Sequence, residues 1–495
     1  MAHLRPVPSA LACAVAAAAL CAAAGFAAPA ANAAPTASAA APGLSPTIAE
    51  VAAKLRTEAL GGTRSYEIVR SLTFEVGPRS AGSAGDPRAV EWAKKKLAEL
   101  GFENVRAEAA EVPHWERGRN AGAVLSPWPQ TVALTALGGS APSPAGGVEA
   151  EVVGVANLEA LKALDPAQAK GKIVFVSNHM ERKPDGSGYG AAVGVRGVGA
   201  AEAAKKGAVG LLIRSVGTDS NRLPHTGAMR ITEGEATVPA ASLSAPDSDL
   251  LEGELASGQP VHFRLELETK RFPNAPSANV IGEIPGRDAG TAKEEFIVLG
   301  AHLDSWDLGT GAIDDGAGCG IVIETARRIG QLPKAERPRR TIRVVLFANE
   351  EFGLSGARAY AAAHAAELPR HFASAEADFG SGRVYRIKTR INPAALPAFG
   401  SIAEIAKPLG IEFSTENDSG GGADLSPMAP ATVPVIAFDQ DGTTYFDIHH
   451  SANDTIDKID PKDLDQVVAA WSSVIYAVAA GDLELRPAPA PTERE

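Results

Sequence analysis

The sequence predicts an α/β protein: a mixed, mostly parallel central sheet flanked by helices, with a β-rich segment inserted into it. Three observations carry that prediction. Four short apolar runs, 296–300, 342–348, 373–377 and 433–438, each lead into acidic or histidine residues, as expected at the carboxyl edge of a parallel sheet. Stretches with apolar residues at helical spacing, such as 317–329, follow or separate them. From about Asn120 to Phe272 the pattern changes to short strands among Gly/Ala-rich loops.

Residues 1–33 hold His3 and Arg5, an Ala/Leu-rich stretch, and Ala31-Asn32-Ala33 before Ala34, which reads as a secretory signal peptide with a small-residue cleavage site. Cys13 and Cys21 lie inside it and neither follows a convincing lipobox. The expected product is therefore exported, periplasmic or extracellular, and keeps only Cys319, which excludes an internal disulfide. Residues 34–46, rich in Ala, Pro and Ser, read as a linker. Helical spacing follows at 48–60 and 89–100; within the insert, 171–176 and 208–213 read as strands and 200–206 as a helix. Residues 486–495 form a Pro-rich tail expected to be disordered. No later apolar stretch is long enough to anchor the chain in a bilayer. The net charge of −12, without a basic block, argues against nucleic acid as a partner.

The chemistry concentrates after the four runs. The first delivers His302 and Asp304, and a carboxylate two residues from a histidine can accept the imidazole N–H and fix which ring nitrogen faces a metal. Gly309, Gly311, Gly316 and Gly318 loosen the backbone around Asp314 and Asp315, which stand at or just before the N-terminus of the 317–329 helix. The second run ends in Asn349-Glu350-Glu351 and the third at Asp378. The fourth precedes a loop carrying Tyr445, His449, His450 and Asp454. Any one of these could be a helix cap, a solvated turn residue or a structural histidine. The whole set at strand ends points instead to two divalent metals and hydrolysis, and its imidazole and carboxylate donors suit zinc without a thiolate. Cys319, in the helix after this loop, reads as a small packed residue.

With these residues in place, the chain resembles the co-catalytic dinuclear zinc exopeptidases, and within them the carboxypeptidase Q-like group, whose peptidase domain carries a protease-associated insert. The resemblance spans nearly the whole mature chain, through VGPRSAGS near Gly77, HWERG at His114, PHTG at Pro224, SANVIGEIPG at Ser277, HLDSWDLGTGAIDDGAG, NEEFGLSGA, EADFG, GGGADL and IHHSANDT. It implies two zinc ions per chain: His302 and Asp378 on one, Glu351 and His450 on the other, and Asp314 bridging both. Glu350 is then the general base, Asp304 orients His302, and Asp315 supports the bridging loop. His450 rather than His449 is the ligand because the family's terminal ligand stands four residues before the Asp of an Asp-Thr pair, here Asp454-Thr455. His449 either donates a hydrogen bond to the tetrahedral oxyanion or is a loop histidine pointing away. A cis peptide is implied between Asp314 and Asp315.

The same resemblance divides the chain into a signal peptide 1–33, a linker 34–46, peptidase segments 47–119 and 273–485, the protease-associated insert 120–272 and the tail 486–495. Asp424, Tyr445 and His225 are candidate substrate contacts. The chain departs from the family where Ala377 replaces a serine beside Asp378 and where GGGAD occupies 420–424, so specificity is not carried over. The implied activity is an exopeptidase acting on dipeptides or short peptides. Alternatives are an aminopeptidase acting on longer peptides, one-zinc aminoacyl cyclase chemistry, and a non-catalytic binding or receptor-type homologue; no ligand or base is missing, which argues against the last. A peptide is the expected partner, and the resemblance leaves room for a homodimer, although no dimer motif stands in the sequence.

Overall fold

The computed structural model describes residues 44–491, so the expected signal peptide and most of the expected linker lie outside the described residues. The helix Pro46–Leu60 starts at the linker's last residue, where the Ser45 hydroxyl accepts the Ile48 N–H at 3.3 Å as an N-cap.

An eight-stranded sheet forms the centre, in the spatial order Glu103–Glu116, Lys270–Ile284, Thr341–Phe347, Phe296–His302, His371–Glu376, Val435–Gln440, Val384–Arg390, Glu412–Phe413. The middle four run parallel and correspond to the four apolar runs. They read as continuous apolar stretches because both faces are covered. Ile297, Leu299, Ala301, Ile342, Val344 and Leu346 pack into one layer; Val298, Val345 and Phe347 face the other, against Tyr360 and Leu368. The first layer is closed by the helices Ala317–Gly330 and Pro461–Ala480, the second by Ser355–Ala363. In Pro461–Ala480, fully buried Trp471 stacks on Phe438 of the sheet with centroids 4.5 Å apart. An aromatic pair of this kind adds roughly 0.5–1.5 kcal/mol beyond its area burial.

A second eight-stranded sheet is built wholly between Asn120 and Leu267. Its order is Gln130–Thr131, Asn120–Ser126, His262–Leu267, Val148–Val155, Ile173–Val176, Gly210–Arg214, Ala240–Leu243, Leu134–Ala136. Here too four adjacent strands run parallel, from Val148–Val155 to Ala240–Leu243. The chain enters and leaves this sheet through one antiparallel ladder, Glu103–Glu116 on Lys270–Ile284, which keeps pairing out to Glu116 opposite Lys270.

The Pro-rich end departs from the expected disordered tail. Arg486 pairs with Glu295, the Ala488 N–H reaches the Thr432 carbonyl at 3.1 Å, and Arg390 donates to the Pro489 carbonyl at 2.9 Å. Buried arginines need acceptors, and the backbone of this segment supplies them. Among the described residues no helix is long and apolar enough to cross a membrane.

Candidate metal centre

Each of the four parallel strands delivers a different part of the site at its carboxyl end, as an open α/β sheet does at its crevice. His302 is the last residue of its strand. Its Nδ1–H donates to the Asp304 main-chain carbonyl at 3.1 Å, which turns Nε2 toward the acids. The Asp304 carboxylate also lies 3.5 Å from the same nitrogen and has a second set of contacts. Its two oxygens accept the Glu350 and Glu351 N–H groups at 3.0 and 3.4 Å, holding the turn after the neighbouring strand.

Asp314 sits at the centre of the cluster. Its Oδ1 is 3.0 Å from His302 Nε2, and its Oδ2 is 3.2 Å from His450 Nε2. His302 Nε2 also lies 3.5 Å from Asp378 Oδ1, and His450 Nε2 lies 3.0 Å from Glu351 Oε2. The five proposed ligands therefore fall into two groups joined through the two oxygens of one carboxylate. Asp315 lies beside His302 and Asp378 and is used locally, accepting the His302 N–H at 3.0 Å and the Gly318 N–H at 2.9 Å. The Asp314–Asp315 peptide is cis. Only Gly311 of the surrounding glycines takes a left-handed φ, +61°; Gly318 serves close approach, since a Cβ there would lie 2.0 Å from the Ala377 carbonyl.

The residues fit a cationic group. Among the described residues Glu351 Oε1 is buried with no hydrogen-bond partner and Asp314 Oδ2 faces only imidazoles, and buried carboxylates without full compensation are costly. Ligand atoms of His302, Asp314 and Glu351 lie within 4.8 Å of one another, as do those of Asp314, His449 and His450. Burial, and after it the charge of Asp378, pushes the Glu350 carboxyl well above the ordinary carboxylate range. Burial and then His450 hold the His449 imidazole well below its usual value.

A cavity of about 950 Å³ opens over the cluster and is lined by Asp314, Glu350, Glu351, Asp378, His449 and Tyr445 among others. The other two candidate substrate contacts are not in it. Asp424 is buried with both carboxylate oxygens unpartnered, and Ala423 lines the cavity in its place. His225 is fully engaged: Nδ1–H donates to the His449 carbonyl at 2.6 Å and Nε2 is 2.5 Å from Asp219. It holds the histidine loop and is not among the residues that line the cavity. Neighbouring residues of the same segment add to the hold. The Thr226 N–H donates to the His450 carbonyl at 2.9 Å, and Arg182 and Thr218 grip Asp447 at 2.7 Å. His450 needs such support because its φ of +60° is a conformation β-carbon sterics disfavour.

Further residues build the site without a local signal in the sequence. Buried Arg79 donates to the carbonyls of Leu303, Thr310 and Gly311, tying the His302 and Asp314 segments together. Asp454 accepts the Ile313 N–H at 2.6 Å, and Trp306 Nε1–H donates to Glu351 Oε2 at 2.5 Å. Burial, with Asp314 next, moves the Asp454 carboxyl up to about 7.

The profile of peptidase family M28 matches residues 279–475. Carboxypeptidase Q of Mus musculus is 34% identical over 419 residues, covering 85% of this chain and 86% of that protein. The crystal structure of an M28 peptidase precursor from Shewanella amazonensis aligns with a TM-score of 0.86 at 45% identity, over 89% of this chain and 99% of the other. The structure of a zinc aminopeptidase from Bacillus subtilis aligns at TM-score 0.61 and 22% identity over 86% of this chain and 96% of the other, and shares the fold.

Proposed function

The chain belongs to peptidase family M28 and is a metallopeptidase of the carboxypeptidase Q-like kind, and from that premise we propose that it is an exported zinc-dependent exopeptidase hydrolysing dipeptides or short peptides at a two-zinc centre. The observation that carries this reading is the placement of Asp314, whose two oxygens face His302 on one side and His450 on the other. His302 and Asp378 would hold one ion and Glu351 and His450 the second, with Asp314 placed to serve both. When bound, the pair of ions polarises the scissile carbonyl and lowers the pKa of water, which is how two-metal hydrolases work at neutral pH.

The protein groups do the rest. Glu350 lines the cavity beside Asp378, free of any side-chain hydrogen bond among the described residues, and acts as the base that takes a proton from the attacking water and returns it to the departing amine. Asp304 keeps Glu350 and Glu351 in one turn, so base and ligand stay in register. His449, in the same cavity with Nδ1 unpartnered, donates a hydrogen bond to the carbonyl oxygen as negative charge develops there. The stretch 120–272 is read as the protease-associated insert, and its His225 and Thr226 hold the loop that presents His449 and His450.

The test is metal analysis together with a peptide panel. Two zinc ions per chain are expected, activity on free dipeptides should vanish with a chelator, and zinc should restore it. A single tightly held ion with full turnover would remove the two-metal mechanism, and a preference for long peptides would favour the aminopeptidase alternative.

A further inference from the structure

Trp306 comes just after the strand that delivers His302, yet its ring belongs to the buried core of the second sheet, with Trp115, Val124, Ala136 and Phe263. Gly138 of the second-sheet region makes room for it, since a Cβ there would lie 2.1 Å from the ring. An indole is a large apolar body with a single donor at its edge. Here that donor, Nε1–H, reaches Glu351 Oε2 at 2.5 Å, and Glu351 Oε1 is left without a hydrogen-bond partner among the described residues. The indole thereby decides which oxygen of this carboxylate stays free to meet a metal.

Arg117 stands behind the indole. It follows the ladder strand Glu103–Glu116 and is buried, with its guanidinium carbon 5.8 Å from the centre of the Trp306 ring and 5.2 Å from that of Trp115. Two of its nitrogens grip Asp307, the neighbour of Trp306: Nε at 2.8 Å and Nη2 at 2.5 Å. The third, Nη1, turns to the second-sheet region and donates to the Thr135 hydroxyl at 2.8 Å, to the Ala136 carbonyl and to the Thr226 hydroxyl at 3.2 Å. A planar guanidinium holds several partners in one fixed geometry, which a flexible ammonium does not.

Thr226 connects Arg117 to the other arm of the site, because its N–H donates to the His450 carbonyl at 2.9 Å. Arg117 therefore touches the supports of both ligands proposed for the second ion: Glu351 through Trp306, and His450 through Thr226. The ligands proposed for the first ion rest elsewhere. His302 is held by Asp304 and Asp315, and the Ala377 N–H, just before Asp378, donates to the Gly300 carbonyl at 2.9 Å, all within the central sheet and its strand ends. The two halves of the centre thus share Asp314 and have separate supports.

We propose that Trp306 is a positioning residue for Glu351 and that Arg117 couples it to the hold on His450, so that occupancy of the second metal position depends on the second-sheet region and occupancy of the first does not. This rests on the two-zinc reading above. It gives a role to the HWERG stretch, which supplies Trp115 and Arg117, beyond its place at the end of the ladder.

The test is zinc competition with a chelator on the intact protein, following bound zinc and indole fluorescence, for the parent and for Trp306→Phe, Arg117→Lys and Asp307→Asn. Trp306→Phe keeps an aromatic ring and loses the donor, so it should weaken one of the two ions about 10–100-fold and leave the other within about threefold. Arg117→Lys and Asp307→Asn should weaken that same ion about tenfold, the lower end of what a ligand's support is worth. Asp307, its side chain 36% exposed, leaves the core undisturbed and decides the matter if Arg117→Lys does not fold. The parent's emission should change as the second ion binds, and that change should be missing in Trp306→Phe. Combined with Glu351→Gln, Trp306→Phe should cost less than the sum of the two, because both act on one contact. Equal weakening of both ions, parent-like affinity in Trp306→Phe, or full additivity with Glu351→Gln would overturn the proposal. If the parent holds a single ion, the two-zinc reading fails, and the coupling between Trp306 and Glu351 still decides whether the indole positions a metal ligand.

Discussion

Among the described residues four adjacent parallel strands occur twice, and a buried cluster of carboxylates and imidazoles stands at the end of one set. Each eight-stranded sheet has four adjacent parallel strands, and each set ends in polar residues. In the second sheet those residues are spent locally. Asn157 caps a helix through the Ala160 N–H at 2.9 Å, Ser215 accepts the His225 N–H at 2.9 Å, and Ser244 caps the helix Ala245–Ala256. In the central sheet the corresponding ends carry carboxylates and imidazoles that converge on one another, and among the described residues Glu351 Oε1 is left buried and without a hydrogen-bond partner. Parallel strands supply a crevice; unsatisfied ligands turn it into a site.

The sharpest way to break this contrast is at Glu350. Glu350→Gln keeps the shape but cannot take a proton, so turnover should fall about 10²–10⁴-fold while bound zinc stays at the parent level. Loss of zinc together with turnover would show Glu350 to be a ligand. Glu351→Gln should do the opposite and weaken metal retention first. If the two variants exchange these behaviours, the roles within the pair are reversed.

A smaller effect is expected one step back from the ligands. Asp304→Asn removes the charge that accepts the Glu350 and Glu351 N–H groups while keeping the side chain's size. Changes of this kind to a ligand's support typically cost about 10–100-fold in metal affinity or activity. Titration with a competing chelator would measure it, and parent-like affinity would show that the turn holds itself.

Much of this site is legible without the structure because ligand and strand are adjacent in sequence. An apolar run buried on both faces must end where polar residues begin, so His302, Glu350, Glu351 and Asp378 announce themselves. What stayed hidden acts across long separations. Arg79 reaches Leu303 and Gly311, Trp306 reaches Glu351, and the insert reaches His449 and His450. No local periodicity encodes such contacts. The reading of His225 as a substrate contact failed for the same reason: proximity to the site could be guessed from its motif, but its direction depends on Asp219 and on a carbonyl 224 residues away. A run of glycines around Asp314 reads as flexibility, whereas Gly318 serves close packing against Ala377 and Asp315.

The hold of the second sheet on the histidine loop is the next test of the comparison, since it asks whether one set of strands serves the site on the other. His225→Ala removes the donor to the His449 carbonyl and leaves Asp219 with the Asn221 N–H. Thr226, Thr218 and Arg182 still grip the loop, so the loss should be partial, about tenfold in kcat, as a small displacement of catalytic groups produces. Stopped-flow or steady-state kinetics at saturating substrate would read it. Unchanged kcat would mean that the loop holds its shape by itself.

The smallest effect should come from the carboxyl end of the second sheet's own strands. Ser244 follows Ala240–Leu243, and its hydroxyl accepts the Asp247 N–H at 3.3 Å while donating to the Asp247 carboxylate at 2.5 Å. Ser244→Ala removes this cap, and the loss of an N-cap serine costs about 1 kcal/mol of stability, with a range of roughly 0.5–2. Asp247 keeps the Ala133 N–H at 3.0 Å and the Arg222 guanidinium at 2.6 Å, so its charge is not stranded and the cost should stay near the middle of that range. Denaturant unfolding should therefore show a modest decrease in midpoint, with kcat, KM and zinc content unchanged. Asp378 likewise stands just past the end of a parallel strand, in the central sheet, and there a single substitution should abolish metal binding. If Ser244→Ala altered turnover as well as stability, the two sheets would not be separable into a scaffold and a site, and the division of labour drawn from their strand ends would have to be abandoned.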